Sequence, residues 1–93
     1  PQSAWALMQF RVLWAPNAEE RLEQFLANST DAHVLAEAAR TIDRHLFTFP
    51  NSFGESRYDT MRVGYEFPFG VQLEVMNDVQ SVIVHDIWRI DRK

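Results

Sequence analysis

The stretch DTMRVGYEFPFGVQLEVMNDVQSVIVHDIWRI, residues 59–90, decides the fold. It reads as three strands joined by two turns, a meander. Asn77-Asp78 lies between two apolar runs, and both residue types tolerate the positive φ of a tight type I′ hairpin. A two-residue turn there sets Met76 opposite Val79, Leu73 opposite Val82 and Val71 opposite Val84. Val71, Leu73, Val75, Val82, Val84, Trp88 and Ile90 then share a core face. The other face carries Gln72, Glu74, Met76, Ser81, Ile83, His85, Ile87 and Arg89. That second, mixed face is where a functional site is expected. A slip of one residue would exchange the two faces, so the assignment depends on the register. On the first strand of the meander, Met61, Val63 and Tyr65 are expected in the core, with Thr60, Arg62 and Gly64 pointing away. Phe67-Pro68-Phe69-Gly70 makes the turn that follows.

Upstream, residues 7–14 alternate. Met8, Phe10, Val12 and Trp14 point one way and Gln9, Arg11 and Leu13 the other, as on a half-buried strand. Ala15-Pro16 ends it. A helix is expected over 17–28, with Asn17 as N-cap and Glu20 completing a capping box. Its apolar stripe is Ala18, Leu22, Phe25 and Leu26. Asn28-Ser29-Thr30 is a short connector, so the next helix, 31–47, returns antiparallel. Its stripe is Leu35, Ala38, Ala39, Ile42 and Leu46. Pro50 stops it, and residues 50–58 read as a loop in which Gly54 supplies a backbone angle that other residues resist. The order is β-α-α-β-β-β. The expected fold is α+β, a helical hairpin packed on one face of a largely antiparallel four-stranded sheet, in a single domain of residues 1–93.

Composition narrows the function classes. The chain of 93 residues is 46% hydrophobic and has no cysteine, so it has neither a disulfide framework nor a thiolate metal site. No apolar run reaches the length of a membrane span, and the expected location is cytoplasmic. The net charge is −4, and the deficit is spread over both halves. Proteins that hold nucleic acid mainly through phosphates are usually basic, so any phosphate site here is local. Eight of the nine basic residues are Arg, which suits bidentate binding of phosphate or carboxylate. His33 and His45 on the second helix form no metal-ligand pattern, and neither metal nor cofactor is expected.

The chain resembles a RelE/ParE-type toxin, the small toxin class of bacterial toxin–antitoxin pairs. The likeness rests on the element order and on short features in sequence. A strand ending in Trp14 runs into Asn17-Ala18-Glu19. Ala39-x-x-Ile42-Asp43-x-x-Leu46 follows on the second helix. Then come Pro50, Gly54-Glu55-Ser56-Arg57, Arg62, Pro68-x-Gly70-Val71-x-x-Glu74-Val75 and Ile87-Trp88-Arg89. The resemblance covers residues 8–90. It implies a cognate antitoxin as partner and one of two targets: mRNA at the ribosome, cleaved by RelE-like members with inhibition of translation, or DNA gyrase, poisoned by ParE-like members. Some relatives of this kind serve plasmid stabilization.

Cleaving RNA at a 2′-hydroxyl needs a base for that hydroxyl, an acid for the leaving oxygen and positive charge for the phosphorane. His85 can be acid or base near neutral pH. Arg62 and Arg89 can hold phosphate but cannot usefully give up a proton. In the register above, Arg62, His85 and Arg89 share the face away from the helices, and Glu74 or Glu55 is the candidate carboxylate base. That set is the candidate catalytic site of a metal-independent endoribonuclease. The alternative for His85 is a packed or antitoxin-facing residue, and for Arg62 an ion pair with Glu74. RNA-cleaving relatives often carry His or Tyr near the end of the last strand and several Lys at the site. Here Trp88 takes that neighbourhood and the only Lys is Lys93. Three readings follow: a toxin, an inactive relative that keeps the fold as a protein-binding module, and an unrelated small enzyme using His85.

Overall fold

A computed structural model describes residues 9–90. Met8, Lys93 and any continuation of the first strand into residues 1–6 lie outside the described residues. The elements are β1 (Arg11–Trp14), α1 (Pro16–Ala27), α2 (Ala32–Thr48), β2 (Glu55–Tyr58), β3 (Met61–Glu66), β4 (Phe69–Met76) and β5 (Ser81–Arg89). The sheet has five strands in the order β1-β5-β4-β3-β2. β1 runs parallel to β5 and every other pair is antiparallel. The fold is α+β with both helices against the sheet. The strand count is corrected: among the described residues the sheet has five strands, not four. β2 lies in the stretch read as a loop. Glu-Ser-Arg-Tyr has no apolar alternation, and all four residues are exposed. Only its backbone ladder to β3 makes it a strand, so no side-chain pattern could reveal it.

The helices follow their stripes. Leu35, Ala38, Ala39, Ile42 and Leu46 are the buried residues of α2. On α1, Ala18 is fully buried, and Leu22, Phe25 and Leu26 pack against the core at its margin. The start of α1 differs from the capping box expected there. Ala15 is the cap residue and Pro16 opens the helix, its ring fixing a helical φ where no N–H partner is needed. Asn17 is thereby inside the first turn, and its side chain is turned to β5. Among the described residues no helix is long and apolar enough to cross a membrane.

The β4–β5 connection is also longer than the two-residue turn expected. Asn77–Val79 form a short 3-10 turn, and Gln80 closes it at φ 49. Met76 therefore pairs with Ser81 and Leu73 with Val84. This shift of two residues preserves the faces, because side chains alternate with period two. A second departure does not. The register slips between Gln72 and Leu73, whose partners are Asp86 and Val84, so His85 is an extra residue in β5. This β-bulge puts two residues of one strand against one of the other and reverses the alternation beyond it. Ile87 is consequently core, at 0% exposure, and Trp88 lies on the open face. The expected places of these two residues are exchanged.

β3 is inverted too. Arg62 pairs with Leu73 and Gly64 with Val71, so these positions face the helices, while Met61, Val63 and Tyr65 face away. The apolar mass for this part of the core comes from Phe53, whose ring covers Gly64. A Cβ on Gly64 would stand 2.4 Å from that ring. Phe53 is 3% exposed and belongs to the core cluster. A side chain from the preceding loop thus takes the place that β3 leaves empty.

Candidate functional site

The open face is the sheet surface away from both helices. Its rows follow from the pairing. Ile83, Glu74 and Met61 form one row; Asp86, Gln72 and Val63 the next; Trp88, Gly70 and Tyr65 the third. The bulge at the centre presents His85 and Asp86 together on this side. His85 Nε2 lies 3.0 Å from Glu74 Oε1, and Thr60 Oγ1 donates to Glu74 Oε2 at 3.0 Å. These two hydrogen bonds, that from His85 the larger influence, hold the Glu74 carboxyl below its ordinary pKa against the opposing effect of partial burial. Glu74 is therefore ionised at neutral pH and can only accept, which places a proton on His85 Nε2. Both side chains remain about a third exposed, His85 at 37% and Glu74 at 29%.

An aromatic corner lies beside the pair. The Trp88 indole covers Gly70, where a Cβ would stand 2.4 Å from the ring. Tyr65 meets Trp88 edge to face with centroids 6.3 Å apart. Tyr65 is 58% exposed. Such rings offer a large, rigid contact area with little side-chain entropy to lose.

The bulge is anchored from α1. Asn17 Nδ2 donates to the His85 carbonyl at 3.1 Å, and Arg21 Nε donates to the Ile87 carbonyl at 2.8 Å. β1 stops at Trp14, and the last backbone bond on this side of β5 is from Ala15 N to the Val84 carbonyl. Beyond that point two side chains replace a neighbouring strand in satisfying the exposed edge. Asp86 closes the arrangement, accepting from Ile87 N at 2.8 Å and standing 3.4 Å from Arg21 Nε.

Of the expected catalytic set, only His85 and Glu74 are brought together. Arg62 is on the helix side, where Nε donates to the Phe53 carbonyl at 3.0 Å and Nη2 to the Gly54 carbonyl at 3.1 Å. It pins the loop that carries Phe53. Arg89 pairs with Phe69 on the same side and reaches the interhelical connector, donating to Ser29 Oγ and Asp31 Oδ2, both at 3.1 Å. The shared face expected for Arg62, His85 and Arg89 is thus corrected: the inversion of β3 moves one arginine across the sheet, and the bulge moves the other. Glu55 lies at the β2 edge, 4.0 Å from Arg57 Nη1, and is not a partner of His85. Among the described residues no group of His and carboxylates is arranged to hold a metal ion. The residues missed at the sequence level are Asn17, Arg21, Thr60 and Asp86. Asn17 was visible as a polar residue at a helix start, but its long-range role was not.

No family model and no curated protein matches the sequence. Solved structures do match. The toxin–antitoxin complex RelBE2 from Mycobacterium tuberculosis superposes with a TM-score of 0.72 at 10% identity, over 88% of this chain and 92% of that one. The chromosomal ParDE toxin–antitoxin system from P. aeruginosa gives a TM-score of 0.64 at 16% identity, over 90% of this chain and 99% of that one. The isolated RelE toxin of E. coli gives 0.64 at 8% identity, over 90% of this chain and 87% of that one. The chain has the RelE/ParE-type toxin fold.

Proposed function

We propose that this chain is the toxin component of a bacterial toxin–antitoxin pair, cytoplasmic and neutralised by a small cognate antitoxin, and that it docks a protein target through its open sheet face in the manner of a gyrase poison. The fold supports the toxin reading. The placement of the arginines supports docking over RNA cleavage. A phosphorane transition state needs cations close to the acid and base, yet Arg62 and Arg89 are engaged with carbonyls and an aspartate on the helix side. Arg57, at the β2 edge, has Glu55 beside it. The face itself offers Met61, Val63, Tyr65, Ile83 and Trp88 around two carboxylates, Glu74 and Asp86, a composition closer to a protein interface than to a phosphate site.

One observation favours a second reading, a ribosome-dependent mRNA endonuclease. His85 hydrogen-bonded to an ionised Glu74 is the arrangement of a general base with its orienting carboxylate. In that reading His85 takes the 2′-hydroxyl proton, and groups of the ribosome supply the acid for the leaving oxygen and the positive charge. The inactive protein-binding module shares the docking face without toxicity.

Induced expression in a bacterial host separates the three. The docking toxin arrests growth as the native chain and as His85→Ala, and Tyr65→Ser relieves the arrest. An endonuclease loses its effect in folded His85→Ala, with mRNA ends disappearing in parallel. Growth that continues beside abundant soluble native protein supports the inactive module. Inhibition of gyrase supercoiling by the purified chain is the direct check on the first reading.

A further inference from the structure

At the end of the sheet where β4 turns into β5, the turn packs beside the segment that follows α2, and a cleft of about 450 Å³ opens between them. Its size lies within the range of small-molecule sites, and it plays no part in the docking face described above. Phe10, Phe49 and Pro50 form apolar walls, and Phe49 is 55% exposed. Among the described residues the polar lining is uncharged: no Lys, Arg, His, Asp or Glu contributes to it.

Two side-chain amides meet across the cleft. Asn51 Nδ2 donates to Asn77 Oδ1 at 2.7 Å, and Asn77 Nδ2 donates back to Asn51 Oδ1 at 3.3 Å. A primary amide has two N–H groups and two carbonyl lone pairs, so this reciprocal pairing uses half of each. Each amide retains one donor and one acceptor. Thr48 and Ser52 bring hydroxyls whose protons already go to the Arg44 and Phe49 carbonyls; the Thr48 oxygen is left as an acceptor, while Ser52 Oγ also meets His45 Nε2 at 2.9 Å and keeps one lone pair. Among the described residues the lining therefore combines aromatic walls with amide donors and hydroxyl acceptors, and none of its side chains is an acid or a base.

We infer that this cleft binds a neutral planar heterocycle whose edge carries both a donor and an acceptor, the chemistry of a nucleobase. The ring stacks on Phe49, its ring nitrogen accepts from an Asn51 or Asn77 N–H, and its exocyclic amino group donates to Ser52 or Thr48. A phosphate adds nothing, because among the described residues no cation lines the cleft and the whole chain is anionic at −4. The ligand is a base, free as a nucleoside or presented by an unpaired RNA residue.

Titration of the full ¹⁵N-labelled chain with adenosine tests this. Saturable shifts are expected at residues 49–52 and 77–80, with a dissociation constant on the order of 0.1–1 mM for a ligand of this size. Asn51→Asp, at an exposed position, is expected to weaken binding about tenfold through the lost N–H and the added charge. Phe49→Ala, also exposed, weakens it through lost stacking and serves as a second variant if the first perturbs the turn. The absence of saturable shifts at millimolar adenosine would overturn the inference. So would toluene shifting the same residues as strongly, which would make the cleft a slot for apolar side chains, or undiminished binding by both folded variants. A short oligoadenylate distinguishes the sources: tighter binding than adenosine assigns an RNA base, and equal or weaker binding a free nucleoside.

Discussion

The two faces of the sheet come from the same strands, yet each handles one glycine and one aromatic ring differently. On the helix side Phe53 covers Gly64 and is sealed into the core. On the open side Trp88 covers Gly70 and stays partly in solvent, with Tyr65 against its edge. The helix side also takes both arginines that could have met a phosphate, and holds them with backbone carbonyls, Ser29 and Asp31. The open side keeps His85 and Glu74. What a residue can meet thus depends on which side of the sheet it emerges, and one extra residue in β5 decides that for the last four residues of the strand. An arginine-rich composition alone is no sign of a phosphate site.

The sharpest way to break this comparison is across the bulge. Ile87→Ala should cost about 2–5 kcal/mol of stability, the usual range for emptying a filled core position, and Trp88→Ala clearly less. Urea denaturation of both variants measures it. If Trp88→Ala were the more damaging, the strand would run without the bulge and the original register would return.

Gly64→Ala comes next. Its methyl would enter space held by the Phe53 ring, and overpacking of this kind costs about 1–3 kcal/mol. Combining it with Phe53→Leu should recover part of the loss. Additive losses would mean that the ring does not lie over Gly64.

Arg62→Ala should cost about 1–3 kcal/mol, because the Phe53 and Gly54 carbonyls lose a charged donor. On the open face, where the sequence analysis set it, the same substitution would be a cheap surface change. Thermal melts of Arg62→Ala and Arg62→Lys check it. A melting point equal to that of the native chain would return Arg62 to the open face.

The smallest effect concerns pH. The Glu74 carboxyl is held below its ordinary value of 4.5 in the folded chain, first by the His85 hydrogen bond. A depressed folded-state pKa contributes stability that is present above the unfolded-state value and fades as pH falls through the folded one. Glu74→Gln should therefore be less stable than the native chain near neutral pH, and the difference should shrink in acid below pH 4.5. A stability difference unchanged from neutral to acid would show that the carboxylate charge is immaterial.

Much of the architecture was legible in the residues. The α2 stripe from Leu35 to Leu46 was read residue for residue, because helical burial is local and repeats with a fixed period. The meander, the helical hairpin and the left-handed Gly54 at φ 67 were likewise visible. β2 was not, because an edge strand of exposed polar residues leaves no apolar alternation. The candidate site was half legible: His85 and Glu74 were named and do meet, whereas Arg62 and Arg89 were assigned to the wrong side.

The sequence by itself determined the order of elements apart from β2, the helix faces and the residue types available for chemistry. Only the tertiary structure decided which side of the sheet each strand residue faces. In a strand that choice has a period of two, so a single inserted residue reverses it without altering the local pattern. At His85 the insertion is held by Asn17 and Arg21, which lie 68 and 66 residues away from their acceptors in the chain. No window of sequence short enough to show periodicity contains both partners, so the bulge, and the site it creates, exist only in the folded chain.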